Sequence, residues 1–225
     1  MLMLSRPATR LVPHLITRQI GPSTRLPALS SLIYRPQQRR FCVTTLKMAI
    51  AAVGQICSTS SMTHNLDQCV KLLSKAAEAG AKVLFLPEAS DYIASSPQES
   101  LSLAKTESDS PFVQGLQVAA RQHGIHVHVG IHVPIPVKPS SPPTDNDTCT
   151  TTTTTTTTTK LLNRTIWILP TGEIDPTRNY DKLHLFDYAN LRESAHTQAG
   201  TSLTRPFDTP VGRIGSLICF DLRFP

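Results

Sequence analysis

Apolar and polar positions alternate along the chain in two different rhythms, and the switches between them predict an αβ order. An apolar run from Ala49 to Ile56 is followed by His64 to Ala79, where Leu66, Cys69, Val70, Leu73, Ala76 and Ala77 recur at helical spacing until Gly80 stops the pattern. Val83-Leu84-Phe85-Leu86 then reads as a short strand buried on both faces, as expected in a sheet covered by helices. Ser110-Pro111 opens a second helix, with Phe112, Val113, Leu116, Ala119 and Ala120 forming one stripe up to Gly124. From Ile125 to Val133 the rhythm changes to strict alternation. Ile125, Val127, Val129, Ile131 and Val133 share one face, and His126, His128, Gly130 and His132 share the other, so a strand is predicted.

Residues 138–160 break every pattern. Four prolines follow Pro134, and ten consecutive threonines, Thr150 to Thr159, offer nothing to bury. This stretch is expected to be a low-complexity surface loop between adjacent strands, because Leu161 to Leu169 resumes a β-rich pattern before the turn Pro170-Thr171-Gly172-Glu173. Arg178 to Phe186 is expected to be extended. Val211 to Phe220 reads as a last buried strand that delivers Cys219 at its exit.

Composition adds little until the charge is divided along the chain. The 225 residues carry a formal net charge of +6, yet residues 1–47 hold seven arginines, Lys47 and no acid, a net of +8. The remainder, 48–225, has fourteen basic and sixteen acidic residues, a net of −2. No electrostatic footprint for nucleic acid exists in that body. The leader 1–47 is expected to be a mitochondrial targeting segment, and Met48 could open a second, cytoplasmic form. No apolar run is long enough to span a bilayer. Five scattered cysteines without a C-x-x-C pair read as free thiols.

Three residues stand where chemistry is expected. Cys219 and Glu88 each follow a predicted buried strand, and strand ends are where open α/β sheets gather their sites. A carboxylate beside Phe85-Leu86-Pro87 requires a partner or a raised pKa, which suits a general base. Lys182, alone, would be read as a solvated surface lysine. His126, His128 and His132 share a strand face, but no fourth ligand or catalytic carboxylate accompanies them, so no metal is assigned. No cofactor is expected either.

Taken together, Leu86-Pro87-Glu88, Arg178 to Leu185 around Lys182, and Gly215 to Pro225 around Cys219 resemble, in order, the glutamate, lysine and nucleophile motifs of the nitrilase, or carbon-nitrogen hydrolase, superfamily. The resemblance covers nearly all of 48–225. It implies an α/β fold, a nitrilase-like four-layer α-β-β-α sandwich, and a thiol amidase in which Cys219 attacks an amide, Glu88 moves the proton, and Lys182 with the Phe220 backbone N–H holds the oxyanion. Glu193 falls where the family often has a second, supporting glutamate. The residues Glu88 to Ala94, Pro97-x-Glu99 and Gln55 to Ser60 look most like the branch that hydrolyses deaminated glutathione, a small anionic amide. Omega-amidase action on 2-oxoglutaramate is the neighbouring alternative. Acyl transfer to an amine would use the same residues.

Family members usually dimerise sheet to sheet and continue for about 100 residues after the nucleophile motif. A C-terminally incomplete domain is therefore expected, with an open sheet edge, reduced stability and no turnover on its own. A non-catalytic fragment that pairs with a full-length relative is the competing expectation; a homodimer is expected of the full-length protein.

Overall fold

The computed structural model describes residues 48–137 and 158–224. The leader 1–47 and most of the threonine-rich loop, with Cys42 and Cys149, lie outside the described residues.

Strand β1 (Ile50–Val53) leads through helix α1 (Met62–Glu78) to β2 (Ala81–Phe85); helices α2 (Pro97–Leu103) and α3 (Pro111–His123) precede the long antiparallel pair β3 (His126–Val137) and β4 (Thr158–Ile168). Strand β5 (Tyr180–Asp181) completes a five-stranded sheet in sequential order, parallel for β1-β2-β3 and antiparallel for β3-β4-β5. Two small hairpins, β6 (Asp187–Tyr188) with β7 (Leu191–Arg192) and β8 (Phe207–Thr209) with β9 (Gly212–Ile214), follow.

The helices form where capping residues meet apolar stripes. Ser61 and Ser110 cap α1 and α3 through side-chain oxygens that accept the His64 and Val113 backbone N–H groups, and Gly124 ends α3 at φ +63. The stripes bury Cys69, Leu73, Phe112, Val113 and Leu116 against Val127, Val129, Ile131, Ile166 and Ile168 of the sheet. Each such large side chain removed from water contributes about 1.5–3 kcal/mol. Only one face of β3 takes part. The alternation read from the sequence thus places the valines under the helices and His126, His128, Gly130 and His132 on the opposite face.

That opposite face is not solvent. Trp167, fully buried, lies across from His128 in register, donates its indole N–H to His126 at 3.2 Å, and meets Phe207 edge-on and the Arg178 guanidinium over its ring. His128 contacts Ser216 at 3.0 Å. His132 contacts Asp91 at 3.0 Å and stacks on Tyr92. The three histidines therefore take different hydrogen-bond partners, Trp167, Ser216 and Asp91.

Several expectations need correction. Residues 158–160, assigned to the loop, belong to β4: Thr158 pairs with Val137 and Lys160 with Ile135, and β3 continues through Pro134 and Pro136. The segment expected to be extended from Arg178 begins with the end of a 3-10 turn, Pro176–Arg178, and contributes only the two residues of β5. The strand expected over 211–220 shrinks to Gly212–Ile214. Beyond it the Ile218 N–H goes to the Asp221 carboxylate at 3.1 Å, and Leu217 is exposed, so the backbone is used for a turn instead of a ladder.

Candidate active site

Glu88 is set by a sharp bend that leaves β2 and folds onto β3. Leu86 N–H bonds the His128 carbonyl at 2.8 Å, Gly130 N–H bonds the Pro87 carbonyl at 3.1 Å, and Ser90 N–H returns to the Gly130 carbonyl at 2.9 Å. Ala89 takes a left-handed φ of +52 to complete the bend. The approach is so close that a Cβ on Gly130 would stand 2.6 Å from the Glu88 Cα, which accounts for a glycine in the middle of a long strand.

Lys182 follows β5. Its N–H donates to the Asn163 carbonyl at 2.9 Å, extending the β4 pairing by one residue, and its side chain is only 3% exposed. The ammonium is buried with partners, Glu193 at 3.0 and 3.1 Å and Glu88 at 3.4 Å, and is not the solvated surface lysine that the residue taken alone would suggest. Burial alone would pull its pKa down, but the hydrogen bond to Glu193 and the charges of Glu88 and Glu193 outweigh it and hold the lysine above its ordinary value. It is an ammonium at neutral pH.

Cys219 opens a 3-10 turn, Cys219–Arg223, at φ +49. A left-handed non-glycine residue costs about 1–3 kcal/mol and persists only where its surroundings hold it. Asp221, 1% exposed, does the holding: its carboxylate accepts the Tyr180 hydroxyl at 2.6 Å, the His184 N–H at 2.8 Å and the Ile218 N–H at 3.1 Å. Desolvation pushes the Asp221 carboxyl upward, yet these donors win and hold it below the usual carboxylate range. The Cys219 turn is thereby tied to the lysine segment, Tyr180 to His184.

Glu88, Lys182, Glu193 and Cys219 line one cavity of about 330 Å³, with Phe186, Leu191, Arg192 and His196. Glu193 is fixed by accepting the Phe186 N–H at 2.6 Å. Phe220, next to Cys219, sets its ring edge-on against Phe186 of the cavity wall. The Cys219 thiol is exposed, and its pKa lies above the ordinary value: partial desolvation and the negative charge of Glu88 raise it, and Lys182 opposes them without prevailing. A sulfur that keeps its proton, facing a carboxylate, is equipped to attack as the carboxylate takes that proton. Cys57 and Cys69 lie elsewhere, and burial pushes the Cys69 thiol up to about 12.

Two members of this arrangement carry no signal that the sequence made visible. Asn163, buried in β4, donates its amide to Glu88 at 2.5 Å and approaches Glu193 at 3.5 Å. It stands opposite His132 in register, so the polar face of β3 was the available clue to which face of β4 mattered. Asp221 lay inside the nucleophile motif, but only the fold reveals what it holds.

The carbon-nitrogen hydrolase family model matches residues 50–225. The chain belongs to the carbon-nitrogen hydrolase family. Relatives include the Schizosaccharomyces pombe protein named "Probable hydrolase nit2", 38% identical over 79% of this chain and 59% of its own length, and the Homo sapiens deaminated glutathione amidase, 30% identical over 95% and 62%. The chain thus spans about 60% of the length of these relatives. The C. elegans NitFhit crystal structure aligns with a TM-score of 0.61 at 29% identity, covering 77% of this chain and 38% of that one. The fold is therefore the nitrilase-like α/β fold that the motifs implied, and the described residues supply one helix layer and one sheet layer of it.

Proposed function

We propose that the protein is a thiol amidase that hydrolyses an amide of a small anionic metabolite, deaminated glutathione, through a cysteine thioester. One observation carries this reading: a buried ammonium, Lys182, lies between the carboxylates of Glu88 and Glu193 on the wall of the cavity that Cys219 enters. As Cys219 attacks the carbonyl carbon, Glu88 takes the thiol proton and the carbonyl electrons move onto oxygen. Lys182 and the Phe220 N–H receive that oxyanion, each donor contributing about 3 kcal/mol. Collapse breaks the carbon–nitrogen bond, and the proton held by Glu88 leaves with the nitrogen of the departing amine, cysteinylglycine. Water, deprotonated by Glu88, then opens the thioester, and the carboxylic acid departs with the sulfur reprotonated. Glu193 keeps Lys182 in place. The choice of substrate draws support from relatives that bear the name deaminated glutathione amidase.

Formation of 2-oxoglutarate, the acid common to both substrates, tests the reading. It should form faster from deaminated glutathione than from 2-oxoglutaramate at equal concentration, and mass spectrometry of the quenched reaction should find an acyl adduct on Cys219 alone. Cys219→Ala should lose both. An adduct on Cys57 or Cys69, or turnover by Cys219→Ala, overturns the assignment, and preference for 2-oxoglutaramate overturns the substrate.

A further inference from the structure

The charges on the cavity wall do not cancel without Arg192. Lys182 carries one positive charge and is divided between two carboxylates, Glu88 and Glu193, so these three groups together leave the cavity at −1. A carboxylate-bearing molecule approaching Cys219 would meet like charge. Arg192 lines the same cavity and makes no salt bridge with any described residue. The acid across from it in the β6–β7 hairpin is Asp187, which feels the Arg192 charge but forms no salt bridge with it; its two oxygens accept the Ser194 N–H at 3.0 Å and the Ser194 hydroxyl at 2.5 Å. Its backbone is well anchored, because the neighbouring Glu193 is bound to Phe186 through both main chain and side chain. A planar guanidinium on a residue that lines a cavity, with no side-chain hydrogen bond to any described residue, matches a carboxylate in shape as well as in charge.

We propose that Arg192 is a specificity-determining residue that binds a carboxylate on the non-reacting part of the substrate, restricting the site to amides that carry such a group. The proposal rests on the thiol amidase reading for the words substrate and amide, but the attraction it describes acts on any anion that reaches Cys219.

Two thiol reagents of closely similar shape read that attraction without requiring turnover. N-ethylmaleimide is neutral; 3-maleimidopropionate bears a carboxylate several bonds from the carbon that sulfur attacks. The rate of labelling at Cys219 is followed for each by peptide mass spectrometry, with exposed Cys57 as the reference in the same chain. The quantity of interest is the anionic-to-neutral rate ratio, since any change in thiol reactivity affects both reagents alike. Arg192→Gln should lower the ratio at Cys219 by about fivefold at low ionic strength, and Arg192→Glu by more, with the ratio at Cys57 unchanged. Salt near 1 M should remove most of the difference between wild type and Arg192→Gln. A ratio that stays the same in both variants, or a difference that survives high salt, overturns the proposal, and so does failure of either reagent to label Cys219. Absence of 2-oxoglutarate formation together with the expected fall in ratio would remove the hydrolytic reading and leave the assignment of Arg192 standing.

Discussion

Replacing Lys182 by Met keeps the length and apolar stem of the side chain and removes the ammonium, so it isolates the charge. What remains is a pair of carboxylates, Glu88 and Glu193, that had been 3.4 and 3.0 Å from one cation. Breaking a fully buried ion pair from one side costs about 3–5 kcal/mol. Here the lysine is 3% exposed but the carboxylates are 32% and 18% exposed, which lets water screen them, so the low end, about 3 kcal/mol, applies. For a body of this size that is roughly 6–12 °C in Tm. Urea unfolding of wild type and Lys182→Met at pH 7 and pH 4 separates charge from packing. At pH 7 the full loss is expected. At pH 4 the loss should shrink, because the orphaned pair relieves its repulsion by taking up a proton. In the wild type the lysine pKa is raised, so its contribution is complete below the ordinary 10.5 and is lost as pH climbs through the higher folded value. Lys182→Met should also push the Cys219 thiol further up, since the charge of the ammonium lowers it. Thiolate absorbance against pH measures that directly. An equal stability loss at both pH values, or a thiol pKa that falls, would refute the account.

Asn163→Asp keeps the shape of the side chain and sets a third carboxylate against Glu88; it should destabilise the fold by about 2–4 kcal/mol at pH 7 and by much less at pH 4, read by the same two urea titrations. Asp221→Asn leaves fewer acceptor sites for Tyr180, His184 and Ile218 and should cost about 3 kcal/mol at neutral pH. Because the Asp221 pKa is depressed in the fold, its contribution is complete above the ordinary 3.8 and lost as pH falls toward the folded value, so thermal melts of wild type and variant should converge in acid.

The helices and the long strand were legible because their signals are local. Ser110, Pro111 and Gly124 mark both ends of α3, and the valine alternation names the covered face of β3. Helix α2 was missed although Ser96-Pro97 with Glu99 carries the same kind of start signal; its seven residues bury no side chain fully, so no apolar stripe drew attention to it. The site was legible as three residues because each sits in a short motif. Their conditions were not. The burial of Lys182 depends on Glu88 and Glu193, 94 and 11 positions away, and the burial of Asn163 on a pairing with β3 across the loop. The strand expected over 211–220 failed for a related reason: its Gly-spaced, largely apolar run looked like a ladder partner, but the Asp221 carboxylate, three residues beyond Ile218, captured the Ile218 N–H.

The upward pKa of Cys219 bears on how the proposed reaction balances charge. A resident thiolate would place a third anion beside Glu88 and Glu193 with one ammonium to serve all three, and the thiol keeps its proton instead. In the proposed attack the proton passes to Glu88 as the carbonyl oxygen becomes negative, so one anion disappears while another forms within reach of the same Lys182. The net charge of the cluster does not change. Only the position of one negative charge does, and it moves from one partner of the ammonium to another, which keeps the reorganisation of the surroundings small. That economy requires Lys182 to stay in place while Glu88 is neutral. Glu193, bonded to the ammonium through both oxygens and anchored on the Phe186 N–H, is the partner that does not change charge during the step, and it supplies the fixed point the other three groups need.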